Sequence, residues 1–447
     1  MKVNVAGAGA GKTRMMADLI TKCDIPDGKV IYCIAFTNAA ANIIAEKVEK
    51  KLGRIPNNIM VSTIHSFLYH ELISPYYFFL YGKQFERLSV IDLPVNENFK
   101  RVKLSELEAE NTLHYTKIPE KAKWVAYKKS GDKKATTDLR KKILSRFKNY
   151  CAAIYVDEAQ DISEDVRLIL ESLDNEGVDI VLFGDPKQDV KGLGQFRQII
   201  EANSGVNYIS ICHRCPQKHL DISNTLASVF EQQVADQDNA EGNIEVIFES
   251  DINNIQDFIE SGTFGLKYIS MKRERFATHE KQEKCNRFES LYYEVHRAVT
   301  KKWKGILSEI EIKRVSFYVA ERMLNDFNGY NSDRIISEWC KNKAFDYLTK
   351  KQYASIVSIL RVEDEAKTDI PVVSSIEIIK GREAERCLFI LSPDLAPYLF
   401  KEKIEDNKSN HLLYVALTRS LDHLTILVMK EVEIKYTREK IMKCFHM

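Results

Sequence analysis

At 447 residues, with 45% hydrophobic side chains, 29% charged ones and a net charge of +1, the chain is long enough for two or three buried cores. This balance excludes a disordered polyelectrolyte and an overall basic field, so any nucleic-acid surface has to come from local clustering. No apolar run of about 18 residues predicts a membrane span. No signal peptide is read, and nine scattered cysteines without a framework spacing predict reduced thiols in a soluble, cytoplasmic protein.

The chain opens MKVNVAGAGAGKT. Val3–Val5 predicts a short strand and Thr13–Lys22 a helix, with Gly7, Gly9 and Gly11 between them. Glycines in such a turn admit positive φ and let backbone N–H groups approach phosphate oxygens. The helix N-terminus adds partial positive charge at the same place. Ala6, Gly7, Ala8, Gly9, Ala10 and Gly11 therefore predict a phosphate loop, with Lys12 reaching the β- and γ-phosphates and Thr13 ligating Mg²⁺. Ala6 replaces the first glycine of the G-x-x-x-x-G-K-[ST] pattern, which an alanine tolerates where φ stays negative. A glycine-rich turn that binds nothing is the bland alternative; strand before, helix after and GKT at the apex weigh against it.

Further on, Lys29–Phe36 predicts a strand, Ala39–Leu52 a helix, Asn58–Ser62 a strand and Ile64 onward a helix. Residues 68–150 break this rhythm, opening with Tyr76, Tyr77, Phe78 and Phe79 and ending rich in lysine. Ala152–Val156 and Asp179–Phe183 read as buried strands separated by a helix around Val166–Leu173. The alternation predicts a parallel sheet with crossover helices, whose phosphate sites lie at the carboxyl ends of its strands. One such end delivers Asp157 and Glu158, the first suited to hold Mg²⁺ through water and the second to act as general base. Another ends FGDPKQ and places Gln188 where its amide can sense a γ-phosphate. Cys212 and Cys215 form a C-x-x-C that lacks the second pair a zinc site needs, so its spacing reads as chance. Residues 277–370 form a second charged, helical stretch.

Taken in order, these segments resemble the motifs of superfamily 1 helicases of the UvrD/Rep/PcrA type. Phe36-Thr37-Asn38 resembles motif Ia, Thr63-Ile64-His65 lies in a segment similar to motif Ib, VDEAQD resembles motif II and FGDPKQ motif III. Cys212-His213-Arg214 resembles motif IV, where the family has Asn-Tyr-Arg. Ser375 to Glu383 is similar to motif V, and Leu413 to Arg419 to motif VI. The resemblance implies an α/β fold of two RecA-like parallel-sheet P-loop NTPase lobes with helical insertions, and ATP with Mg²⁺ between the lobes. It divides the chain into a first lobe (1–67 and 151–204) around an inserted basic subdomain (68–150). A second lobe (205–276 and 371–447) surrounds a reduced helical insertion (277–370).

The same resemblance implies that Arg214 and Arg419 meet the γ-phosphate and Glu383, beside Gly381, the ribose. His213 stands where the family stacks a tyrosine on adenine. Phe36, Thr37, Asn38, Thr63, His65 and Ser375 are implied as contacts to single-stranded or tailed DNA, RNA being an equal fit to phosphate contacts alone. Two departures accompany the match: Asp189 to Gly194 replaces the family's base-stacking aromatics, and the second insertion is short. FGDPKQ, HRCPQ and that short insertion resemble GajB-type helicase subunits of Gabija anti-phage systems, which implies an OLD-family nuclease as partner. Five residues precede Ala6, too few for the family's adenine-reading glutamine. Base selectivity is therefore expected to be relaxed to within about tenfold unless Arg14 reads the base.

Overall fold

Val3 and Val5 are buried in β1 (Lys2–Ala6), an apolar, β-branched strand of the kind that fills the middle of a parallel sheet. In the computed structural model, which describes residues 1–94, 96–271, 275–279, 287–327, 331–346, 348–361 and 371–445, β1 belongs to a six-stranded sheet. Chain order continues with β2 (Val30–Ala35), β3 (Ile59–Thr63), a short pair β4 (Arg87–Ser89) and β5 (Thr112–His114), then β6 (Cys151–Val156), β7 (Asp179–Gly184) and β8 (Val206–Ile209). The first sheet runs β3-β2-β6-β7-β1-β8 with every pairing parallel. Ile31, Cys33 and Ala35 turn one face of β2 toward Met16, Ile20, Ile44 and Val48 of the crossover helices Lys12–Thr21 and Asn38–Leu52. On the opposite face Tyr32 meets Phe67 edge-on, with ring centroids 5.1 Å apart.

These spans lie within a residue or two of those read from the sequence, with one exception. The helix expected from Ile64 begins as Ile64–Phe67, widens into a π-helical stretch at Leu68–Ile73 and resumes as Ser74–Tyr81. Pro75 in the first turn of the last segment has no N–H to donate, and the Ser74 N–H just before it reaches back to Tyr69, one residue further than an α-helix would.

The second sheet follows two short strands, β9 (Ile211–Cys212) and β10 (Val234–Ala235), which pair with each other. Its members are β11 (Asn243–Phe248), β12 (Leu266–Ile269), β13 (Ala277–His279), β14 (Val372–Ser375), β15 (Ala384–Leu391) and β16 (Ser420–Val428), in the order β11-β16-β15-β12-β14-β13, again all parallel. Tyr268 stacks on Phe389 at 5.9 Å within a core that includes Leu388, Ile390, Leu424 and Ile426. Two parallel sheets flanked by helices make the α/β fold of two RecA-like lobes.

The chain forms two compact units. One takes in the described residues of Met1–Gln84, Ile118–His279 and Ile370–Met447, and so holds both sheets; the other takes in those of Phe85–Lys117 and Glu280–Asp369. In the second unit, Leu291, Val295, Ala298 and Val299 line one face of helix Arg287–Trp303 and share a core with Val319, Ala320 and Met323 of helix Glu309–Asn325. Ser308 and Glu311 cap that second helix reciprocally, as Thr349 and Gln352 cap helix Lys350–Leu360. Lys103, on helix Glu97–Ala109, pairs with Glu294 at 2.7 Å, joining the two stretches of chain that build the unit. Parts of the charged stretch, among them 280–286 and 362–370, lie outside the described residues.

Candidate nucleotide site

β1 ends at Ala6, which keeps a negative φ, and the loop turns through Gly9 (φ 69°) and Gly11 (φ 76°) before helix Lys12–Thr21 begins. A side chain at either position would be strained in this left-handed region. Gly7 needs no positive φ; a Cβ there would lie 2.2 Å from the buried Gln233 amide. Lys12 is buried, and its Nζ donates to the carbonyls of Ala6 (3.3 Å) and Gly7 (3.4 Å). Its neighbour Thr13 donates from Oγ1 to Asp157 Oδ2 at 2.7 Å, tying the loop to the carboxyl end of β6.

Asp157 and Glu158 follow β6 in different environments. The other Asp157 oxygen accepts the Glu158 N–H at 2.9 Å, and Glu158 itself adopts φ 56°, ψ 44°. A positive φ at a glutamate is uncommon and marks a backbone fixed by its surroundings. Burial, and then the Glu158 charge, push the Asp157 carboxyl up to about 6. Burial also pushes Glu158 up, but Lys12, Lys380, the Gln160 amide and Arg419 outweigh it and hold that carboxyl below its usual value. Glu158 is therefore ionised at neutral pH. The Gln160 side chain bridges onward: its amide donates to Glu158, and its oxygen accepts the Asp185 N–H at 3.0 Å. Asp185 in turn accepts from Gln188 Nε2 at 2.8 Å, so one chain of bonds links the ends of β6 and β7.

A group whose folded value is raised stabilises the fold below its unfolded value and loses that contribution as pH rises through the folded one. For Asp157 the contribution is full below 3.8 and gone above about 6. Asp157→Asn is therefore expected to affect stability more favourably at pH 8 than at pH 4, because only the ionised carboxyl carries the burial penalty that the amide removes. Thermal melts across pH 4–8 without divalent cation check this; an equal effect at both ends would refute it.

Thr13 and Asp157 offer a hydroxyl and a carboxylate, a hard-oxygen set that fits Mg²⁺ completed by phosphate oxygens and water. Among the described residues no cluster of three or more His, Cys, Asp or Glu could hold a metal by itself.

The second lobe reaches the phosphate loop at the Ala8 peptide. The Ala8 N–H donates to the Tyr414 hydroxyl at 3.2 Å, while its carbonyl accepts from Gln233 Nε2 and Cys212 Sγ, both at 3.1 Å. Tyr414 also donates to Gln233 Oε1 at 2.9 Å, closing the ring of contacts. The His213 N–H donates to the Gly9 carbonyl at 2.9 Å, and its imidazole, half exposed, sits 2.6 Å from Asp236. Arg214 lies over Gly9 so closely that a Cβ there would come 2.3 Å from Arg214 Cβ; its Nε is 2.5 Å from Glu383. Gly381, at φ 83°, makes the exposed turn leading to Glu383. Lys380 pairs with both Asp161 oxygens at 3.0 Å, adding a further tie between the lobes.

The structure thus brings Ala6 to Thr13, Asp157, Glu158, Gln188, His213, Arg214 and Glu383 into one region. Arg419 stands differently: it is fully buried, with Nε, Nη1 and Nη2 engaged by the Val415 carbonyl, the Arg382 carbonyl and Thr418 Oγ1. Its charge acts on Glu158 through space. Arg14 is exposed and lines a shallow cavity with Lys47, Lys50 and Lys51.

The candidate DNA contacts occupy other strand ends. Half-buried Phe36 follows β2, where exposed Thr37 caps helix Asn38–Leu52 by accepting the Ala40 N–H at 3.1 Å. After β3, Thr63 accepts the Ser66 N–H at 3.3 Å, and His65 is held below its usual value by burial and the Lys191 charge. Ser375 ends β14 at the start of helix Ile376–Ile379, with its hydroxyl uncommitted to the cap. Phe67, a second aromatic candidate, is core. The residues after Gln188 fold as a turn: Asp189 accepts the N–H groups of Leu193 (3.1 Å) and Gly194 (2.7 Å), and Val190 is buried in the second lobe's core.

Gln160, Gln233, Tyr414 and Lys187, whose ammonium lies 4.5 Å above the Tyr414 ring, are site residues that the sequence reading did not single out. Gln160 and Tyr414 stand inside recognised segments, so their place in the string was the available signal. Gln233 lies between motifs, and nothing local marks it.

A family model described as an AAA domain matches residues 1–193, a span that takes in the phosphate loop, Asp157, Glu158 and Gln188. No curated protein matches the chain. Among solved structures it is similar to an Arterivirus nonstructural protein 10 (helicase) in a complex with DNA, at 10% identity and a TM-score of 0.36, over 95% of this chain and 60% of that one. The chain therefore spans about 60% of the length of that helicase. Among the described residues no helix is long and apolar enough to cross a membrane.

Proposed function

We propose that the chain is an ATP-dependent motor on single-stranded or tailed DNA, of the UvrD type and with 3′→5′ polarity. The observation that carries this reading is the approach of Arg214, on the second lobe, to Gly9 of the phosphate loop on the first. Thr13 and Asp157 would hold Mg²⁺, which supplies charge neutralisation to the β- and γ-phosphates when bound. Lys12 exchanges its two carbonyl partners for phosphate oxygens, and ionised Glu158 accepts a proton from the attacking water. Arg214 brings a cation that leaves when the lobes part, and Arg419 keeps Glu158 charged. Hydrolysis and lobe separation are coupled through these groups, and Thr37, Thr63 and Ser375 grip backbone phosphates that move with their lobes.

The turn made by Asp189 favours a second reading, an ATPase that senses DNA ends without unwinding, because no base-stacking aromatic stands there. ATP turnover with and without single-stranded DNA, beside strand displacement on a 3′-tailed duplex, tests both. Stimulated turnover with displacement supports the motor, and stimulation without displacement supports the sensor. No turnover under either condition overturns both. The motor reading extends to anti-phage defence beside an OLD-family nuclease, on the support of the FGDPKQ and HRCPQ segments.

A further inference from the structure

Cys212 and Cys215 take no part in the hydrolysis proposed above, yet they flank His213 and Arg214 and press on the phosphate loop. Both are fully buried and form a small cluster with Leu220. The turn from β9 into helix Gln217–Asn224 is tight enough for the Cys215 N–H to donate to Cys212 Sγ at 3.3 Å. The Cys212 thiol lies 3.1 Å from the Ala8 carbonyl, and the Cys215 thiol 3.5 Å from the Thr418 carbonyl beside Arg419. The two sulfurs are electrically unlike. Hydrogen bonds from the Cys215 side chain and from the backbone of Cys215 and Arg214 hold Cys212 down to about 6, against burial, whereas Cys212 and burial push Cys215 well up. A low-lying attacking thiol beside a high-lying resolving one is the arrangement of a redox pair.

We propose that Cys212 and Cys215 form a thiol–disulfide site, and that its oxidation by a peroxide switches off the nucleotide site. Freed from the Ala8 carbonyl when the lobes part, Cys212 gives up its proton; the thiolate attacks one peroxide oxygen and becomes a sulfenic acid, and the leaving hydroxide takes a proton to become the first water. The Cys215 sulfur then displaces the hydroxyl as a second water, forming the S–S bond; two thiols are oxidised and one peroxide is reduced to two waters. The bond keeps Cys212 Sγ from the Ala8 carbonyl and locks the His213–Arg214 turn. Because the Ala8 peptide covers Cys212, parting of the lobes is what admits the oxidant. Only the effect on turnover rests on the hydrolytic reading; disulfide formation does not.

The test treats the full chain with hydrogen peroxide, alkylates the remaining thiols and maps the peptides. The expected result is a Cys212–Cys215 linked peptide lighter by two hydrogens, with ATP turnover at least about tenfold lower and restored by dithiothreitol. Cys215→Ser, with Cys215→Ala as a second variant should the first fail to fold, keeps turnover and loses the reversible inhibition. Absence of the linked peptide overturns the site, and a linked peptide with unchanged turnover overturns the switch. A reduced protein without turnover refutes the hydrolytic reading instead, and the peptide map still decides whether the site exists.

Discussion

Lys12→Ala is expected to abolish ATP turnover while leaving the protein folded. The Lys12 ammonium is held by two loop carbonyls, so its removal strips a point charge from the candidate phosphate site, while Glu158 keeps Lys380, the Gln160 amide and Arg419 as partners. Loss of one preorganised charge-stabilising group costs about 10²–10³ in kcat, and here a second effect adds to it. Lys12 is the largest of the attractions holding Glu158 ionised, so its loss also moves the proposed general base toward protonation. Alanine suits the first turn of a helix, and a melting temperature close to that of the parent is the expected control. Glu158→Gln is expected to reach the same end by another route: the isosteric amide removes the proposed base and leaves the loop and Lys12 in place. It is expected to bind ATP and fail to turn it over. Phosphate release measured beside nucleotide binding separates the two variants, and parental turnover by either would refute the hydrolytic reading.

Arg214→Ala is expected to lower turnover by about 10³–10⁵, the range for an arginine that stabilises a transferring phosphoryl group. Stability is expected to change little, because the partner, Glu383, is half exposed and such a pair contributes about 0–1 kcal/mol. Arg214→Lys is expected not to rescue the rate, since a guanidinium presents a planar fork that an ammonium lacks. Single-turnover kinetics at saturating ATP read the loss as a slower chemical step with nearly unchanged affinity. A wild-type rate in Arg214→Ala would remove Arg214 from the chemistry and leave it as packing against Gly9.

Much of the first lobe was legible because its strands are short apolar runs bounded by turns and its crossover helices keep one apolar face. The phosphate loop was legible for a further reason: Gly9 and Gly11 occupy backbone angles that few other residues tolerate, so chemistry and composition coincide. What could not be read was contact between distant segments. Lys103 and Glu294 meet although no local pattern in either stretch announces the other. Gln233 carries no motif, and its amide acquires a role only when β10 and β1 come together. Asp189 looked like a missing aromatic; in three dimensions it is the acceptor that shapes a turn. Pro75 was visible from the start, but the π-helical stretch before it depends on which carbonyl the preceding N–H can still reach.

The Ala8 peptide, gripped on both its polar groups by the second lobe, sets a competition. A phosphate oxygen that takes the Ala8 N–H must displace the Tyr414 hydroxyl, and the freed hydroxyl stays bound to Gln233. Arrival of nucleotide and release of this latch are then one equilibrium. The affinity measured on the whole chain is the loop's own affinity multiplied by the fraction of molecules whose latch is open. Substitutions at Tyr414 or Gln233, far from any phosphate in the sequence, therefore act on nucleotide binding as tuning weights: they leave the loop unaltered and change how often it is free to be used.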